Sequence, residues 1–184
     1  FSSWQNVFVK PETAPPRLNY RITMGVRQGE DVLVWAAGSG VGMAAVQIAK
    51  ALGARVIATA GGAAKAARAR QLGADETIDH YAADVPAEVR RLTGKKGVDV
   101  VIEHVGKATW ERSIQSLAHR GRLVTCGATT GPLGTTDLRH VFSTQLSLLG
   151  SYMGGKAELL EVATLFFAGR LRTVVHEALP LADA

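Results

Sequence analysis

From residue 28 onward, short unbroken apolar runs alternate with stretches in which apolar residues return every three or four positions. Residues 31–36 (DVLVWA), 55–59 (RVIAT), 76–78 and 98–102 (VDVVI) are short and β-rich, so each reads as a strand. Between them, helical spacing runs over 41–52, 63–72 and 84–92, with Gly53 and Gly73 placed as helix stops. The order then repeats. A helix over 109–118, a strand over 122–126, a loop and a strand over 145–149 precede a long amphipathic helix over 156–167 and a last strand near 173–176. Strands alternating with helices of about ten residues predict βαβ units and a parallel sheet covered on both faces. The expected class is α/β, doubly wound.

The first expected strand enters the first expected helix through Ala36-Ala37-Gly38-Ser39-Gly40-Val41-Gly42. In a Rossmann-type sheet this junction binds a dinucleotide: missing side chains let backbone N–H groups reach a pyrophosphate, and the helix N-terminus favours its charge. Gly38, Ser39, Gly40, Val41 and Gly42 are therefore the expected cradle, with Gly42 allowing helix and strand to pack closely. Counted back from Gly42, the glycine pattern carries Ser39 at its middle position and Ala37 at its first. A serine there is small, and its hydroxyl is able to donate to a phosphate oxygen. About 20 residues further on, proteins that prefer NAD place an acid for the ribose hydroxyls. This chain has Ala60-Gly61-Gly62 instead, with Lys65 on the following helix. Without a carboxylate to repel a 2′-phosphate, and with Lys65 to pair with it, NADP(H) is expected over NAD(H).

Composition narrows the classes. The first 25 residues, interrupted by Pro11, Pro15 and Pro16, sustain neither period and read as a linker or the remnant of a neighbouring unit. A single cysteine, Cys126, excludes an internal disulfide and a multi-cysteine zinc cluster within these residues. No apolar run approaches the ~18 residues that span a bilayer, and the start lacks the charge and apolar pattern of a signal peptide, so no membrane partner and a cytoplasmic location are expected. The formal net charge of +5 raises the question of nucleic acid. However, the basic residues fall in separate groups (Lys65, Arg68, Arg70; Arg90, Arg91, Lys95, Lys96) with no aromatic residues interleaved. Nucleic acid is accordingly not an expected partner; a non-catalytic family member that binds nucleic acid or protein is the contrasting hypothesis. Cys126 reads as a small buried strand residue, because no basic neighbour in sequence lowers its pKa. His104 reads either as a strand-end histidine bonded to backbone or as a proton relay.

Together these segments resemble the medium-chain dehydrogenase/reductase superfamily, both its zinc-type alcohol dehydrogenases and its quinone oxidoreductases. The carriers are GEDVLV (29–34), the AAGSGVG turn (36–42) with AAVQIAK (44–50), LGARVIAT (52–59), LGAD (72–75), GVDVV (97–101), GRLV (121–124) and QLSLLGS (145–151). EHVG (103–106) and TCG (125–127) are most similar to bacterial zinc-binding alcohol dehydrogenase-like members. The resemblance covers the cofactor-binding domain, over 26–184. It implies that Lys65 meets the adenosine phosphate or ribose, and that His104, Val105 and Gly106 border the adenosine and nicotinamide ribose. It further implies that Cys126, Gly127 and Ala128 meet the carboxamide through main-chain groups, joined by Ser151, Tyr152 and Met153 from the next strand end. Where quinone reductases often keep a tyrosine for the 2′-phosphate, this chain has His80, with Tyr81 one position later.

The resemblance assigns no catalytic residue and no metal ligand to these residues. Zinc ligands or a quinone site would lie on a separate N-terminal domain; neither a Gly-His-Glu motif nor a four-cysteine lobe is present here. The chain is therefore expected to be the C-terminally truncated cofactor domain of an NAD(P)H-dependent oxidoreductase, acting on an alcohol or carbonyl, or alternatively on a quinone or enoyl substrate. A small-molecule substrate and a homo-oligomer, dimer or tetramer, are the expected partners. Zinc is expected only if the other domain carries it.

Overall fold

A computed structural model describes residues 25–175 and 178–183. The linker expected over 1–25 lies outside them except for Gly25. Six strands pair in parallel: β1 (Asp31–Val34), β2 (Arg55–Ala60), β3 (Glu76–Asp79), β4 (Val98–Glu103), β5 (Leu117–Thr125) and β6 (Ser147–Gly150), in the order β3-β2-β1-β4-β5-β6. Helices α1 (Gly40–Ala51), α2 (Ala63–Gln71), α3 (Val85–Leu92) and α4 (Trp110–Gln115) connect successive strands, α5 (Leu138–Ser143) precedes β6, and α6 (Lys156–Phe167) follows it.

Strand parity sorts the core into two layers. Val32, Val34, Val56, Ala58, Val100 and Ile102 turn to one face, where Ala45, Val46 and Ala49 of α1 and Ala69 of α2 cover them. Leu33, Ile57, Ile78, Val101 and Leu123 turn to the other, against Val85 and Val89 of α3 and Ile114 of α4. Because side chains alternate along a strand, runs such as VLV and VIATA can be apolar throughout only if both faces are covered. The doubly wound sheet expected from the sequence is thus present. The strand order reverses between β1 and β4, and at such a switch point the carboxyl ends of the strands leave a crevice.

Several boundaries differ from expectation. Helix α4 is shorter than 109–118, because Leu117 and Ala118 are buried and already belong to β5, Leu117 pairing with Val98. The segment read as loop before β6 contains α5, which buries no residue and so leaves no apolar stripe to detect; Asp137 caps it by accepting from Arg139 N. Strand β6 starts two residues later than expected, since Gln145 has a left-handed φ of 56°. The strand expected near 173–176 is not formed by Thr173–Val175, and His176 lies outside the described residues. Just before it, Arg172 exchanges both main-chain hydrogen bonds with the Gln47 side chain on α1 instead of with a neighbouring strand (2.7 and 3.1 Å). The amphipathic helix α6 forms over the expected span, but Leu159, Leu160 and Phe167 on it are exposed and only Glu158 is buried.

Candidate dinucleotide-binding site

All six strands run the same way, so the loops that follow them emerge on one edge of the sheet. Every residue singled out from the sequence lies on those loops or next to them.

The loop after β1 is held from below. Trp35 N donates to Ile102 O, Ala37 N to Thr59 O, and Ala36 N to Thr59 Oγ1 (3.2, 2.8 and 3.0 Å). Ser39 caps α1, its Oγ accepting from Gly42 N at 3.0 Å, and Gly40 to Gly42 carry no acid to compete for the helix N-terminus. A Cβ on Gly42 would stand 2.4 Å from Ala36 O and 2.7 Å from Ala37 Cα, so the close packing of strand and helix requires glycine there. A Cβ on Gly40 would meet nothing within 4 Å: that side of the turn is open space. Gly38 faces the Lys65 stem, whose Cδ would lie 3.1 Å from an added Cβ. The structure therefore brings Lys65 across the turn. The open cradle, the uncontested helix end and the lysine beside it fit a pyrophosphate.

His104 joins the turn to the loop after β4. Its Nε2 lies 2.9 Å from Trp35 O and 3.3 Å from Ser39 Oγ, and the residue is buried. A carbonyl oxygen only accepts, so Nε2 carries the hydrogen in this arrangement. Ser39 Oγ receives Gly42 N–H and faces this imidazole N–H, which leaves its own hydrogen free to point at a ligand. Of the two readings of His104, the backbone-bonded one matches this geometry.

At the end of β2, Ala60 is buried and Gly61 lies under the Tyr81 ring, with an added Cβ only 2.4 Å from Tyr81 Cε2. His80 contacts Thr59 Oγ1 through Nδ1 at 3.2 Å and meets the Tyr81 ring edge-on. Loss of water around His80 holds its pKa below the usual 6.5; the Asp79 charge opposes this, and Arg112 and Lys65 reinforce it. Asp79 is a neighbour that sequence reasoning missed. It pairs with Ala60 across β2 and β3, and its carboxylate accepts from Tyr81 N (3.0 Å) and Gly62 N (3.3 Å). The Tyr81 hydrogen bond leads the effects that lower its pKa, partial desolvation opposing it. An acid thus stands beside the β2 tip, supplied by the adjacent strand; its place just after the expected third strand is the only trace it leaves in the sequence.

A second missed residue is Glu103, the last of β4 and fully buried at 0%. Its Oε1 accepts from Val105 N and Gly106 N (2.6 and 3.0 Å), and its Oε2 from Thr109 Oγ1 and Ser113 Oγ (2.8 and 2.6 Å). Its main-chain oxygen accepts from Cys126 N at 3.0 Å. The loops after β4 and β5 are further joined by Thr130 N to Val105 O (2.8 Å) and Lys107 N to Gly131 O (3.1 Å). Gly106 and Gly127 sit where added Cβ atoms would lie 2.8 Å from Ala128 Cα and 2.7 Å from His104 O. Val105, Gly106, Gly127 and Ala128 are thereby brought together. A fully buried glutamate inside an apolar strand run is legible only as an interruption of that run.

Cys126 differs from expectation. It follows β5 by one residue and is exposed, not a buried strand residue. Partial desolvation, with the Glu103 charge in support, pushes its thiol pKa up, which leaves it a poor nucleophile. Ser151 is anchored by its N–H to Thr125 O at 2.8 Å, while Tyr152 and Met153 extend into solvent. Trp110 is partly buried against the Leu33 layer and donates through Nε1 to Thr136 Oγ1. Among the described residues no group of three or more His, Cys, Asp or Glu is placed to hold a metal ion. No helix of the described residues is long and apolar enough to cross a membrane.

Residues 40–168 match the family described as zinc-binding dehydrogenase. A quinone oxidoreductase of Pseudomonas aeruginosa is 40% identical over 174 residues, covering 89% of this chain and 53% of that protein. Among solved structures, an NAD-dependent alcohol dehydrogenase superposes with a TM-score of 0.79 at 49% identity, over 84% of this chain and 46% of that one. The Escherichia coli quinone oxidoreductase complexed with NADPH gives 0.75 at 34% identity, over 85% and 51%. The chain spans about half the length of the curated relatives it matches.

Proposed function

This chain belongs to the zinc-binding dehydrogenase family of the medium-chain dehydrogenase/reductase superfamily, and from that premise we propose that it is the cofactor-binding domain of an NAD(P)H-dependent oxidoreductase. The observation that carries the proposal is the turn Gly38–Gly42: a capped helix start, open above Gly40 and closed to any side chain at Gly42. When bound, the nicotinamide cofactor supplies the hydride exchanged at C4 with the substrate.

The residues of this chain bind and orient. The backbone N–H groups at the start of α1 take the pyrophosphate, and the Ser39 hydroxyl donates to it. Gly61 and Ala60 border the adenosine, with the Tyr81 ring already lying over Gly61. We favour NADP(H) over NAD(H), with Lys65 on the 2′-phosphate. Asp79 engages its carboxylate with Tyr81 N and Gly62 N, which lessens its hold on a ribose hydroxyl. His104, Val105 and Gly106 line the nicotinamide ribose; Cys126, Gly127, Ala128 and Ser151 meet the carboxamide, with Tyr152 and Met153 beyond them.

The substrate we propose is an alcohol or its carbonyl. The similarity to a quinone oxidoreductase favours a quinone or activated alkene as the second reading. Among the described residues no group of three or more His, Cys, Asp or Glu is placed to hold a zinc ion, and none of the roles assigned to them involves a metal. The exposed outer edge of β6 suits pairing with a second subunit, and a homo-oligomer is part of the proposal. Hydride transfer from NADPH to 1,4-benzoquinone and to a panel of aldehydes, followed by the loss of reduced-nicotinamide absorbance in the intact protein, tests the reading. Turnover of either class supports it, and failure of both with NADPH and NADH alike contradicts it.

A further inference from the structure

We infer that Glu103 is a positioning residue for the nicotinamide-side wall of the site, an assignment that rests on the cofactor reading above. Being wholly buried, it acts through its neighbours. Its two carboxylate oxygens hold different parts of the chain. Oε1 fixes the main chain of the 104–106 loop, and Oε2 ties that loop to Thr109 and Ser113 at the start of α4. The same residue's carbonyl anchors Cys126 N, so one position fixes both loops that would face the nicotinamide half. It also sets the start of the loop from which His104 reaches Ser39 Oγ and Trp35 O.

Burying a carboxylate is costly unless its hydrogen bonds are complete, and an apolar residue would fill a strand end more cheaply. Here the four donors come from two main-chain N–H groups and two hydroxyls, and no cation pairs with the carboxylate among the described residues. What the arrangement secures is the shape of a loop. Val105 N and Gly106 N would otherwise lack these acceptors, and Gly106, at φ 92°, lies close against Ala128 and Gly131 and tolerates little displacement.

The test compares wild type, Glu103→Gln and Ser113→Ala in the intact protein. Calorimetric titration is made with NADPH, NADH and 2′,5′-ADP, which carries the adenosine end alone. Glu103→Gln is expected to weaken NADPH about tenfold while 2′,5′-ADP changes by less than about twofold. Ser113→Ala, which removes one donor far from any ligand, is expected to act in the same direction by about threefold. Amide exchange at Val105 and Gly106 should speed up in Glu103→Gln with that at Ala37 unchanged. Equal losses for NADPH and 2′,5′-ADP would reveal general damage and overturn the assignment, as would unaltered NADPH binding in both variants. A wild-type protein that binds no dinucleotide overturns the cofactor reading and the assignment together; wild-type binding with unaffected variants overturns the assignment alone.

Discussion

Gly40 and Gly42, two positions apart on the same turn, serve different ends, and single substitutions separate them. Gly42→Ala drives a Cβ into backbone atoms at 2.4 and 2.7 Å, which have no rotamer to yield. We expect a loss of roughly 1–3 kcal/mol, read as a lower urea midpoint. Gly40→Ala meets nothing within 4 Å and gains helix propensity, so stability should hold or rise by up to about 1 kcal/mol. Its added methyl occupies the space offered to a phosphate, so dinucleotide affinity should fall even as the fold holds. Lys65→Ala should weaken NADPH by about tenfold, near 1.4 kcal/mol, with little change for NADH; equal losses would remove Lys65 from the 2′-phosphate. His80 adds a pH signature. Its folded pKa is held below 6.5, chiefly by desolvation, so the unfolded chain takes up a proton that the folded chain resists. The associated stability is complete above about pH 6.5 and lost as pH falls through the folded value. Urea midpoints at about pH 7.5 and about pH 5.5 should therefore converge in His80→Gln relative to wild type.

Among elements, the buried strands are legible in the sequence, while of the exposed helices α6 is legible and α5 is not. Strands such as VLV and VIATA, covered on both faces, leave an apolar run that admits one reading, and β2, α2 and β4 lie within a residue or so of expectation. Helix α5 buries nothing, and its capping acid, Asp137, looks like any loop aspartate. At residue 117 the pattern misleads because Leu117 and Ala118 are apolar enough to continue a helix, and only pairing with β4 assigns them to a strand. The site divides along the same line. Gly38–Gly42 and Lys65 are readable because a local turn and a helix place them, whereas Asp79 reaches Gly62 only through strand pairing, and Glu103 is buried among nearby donors that no sequence period marks. One long-range contact also sets how the sheet begins: Arg122 on β5 reaches Glu30 at 2.6 Å and Gly25 O at 2.8 Å, all in a part-buried setting. Glu30→Ala should cost about 2 kcal/mol, measured by chemical denaturation, since it strips a charged donor of its acid.

At the scale of the molecule, the sheet gathers the loops after its six strands on one edge and leaves open space over Gly40 in the turn. The fold explains where a dinucleotide would lie, and the chain's residues explain how its halves would be held: backbone N–H groups and Ser39 at the pyrophosphate, Lys65 at one end, the Glu103-anchored loops at the other. The central claim is cofactor binding, and calorimetric titration of the protein with NADPH and NADH measures it directly. Saturable binding of one dinucleotide per chain, tighter for NADPH and weakened by Gly40→Ala, is the predicted result; no saturable heat from either dinucleotide at millimolar concentration would contradict it.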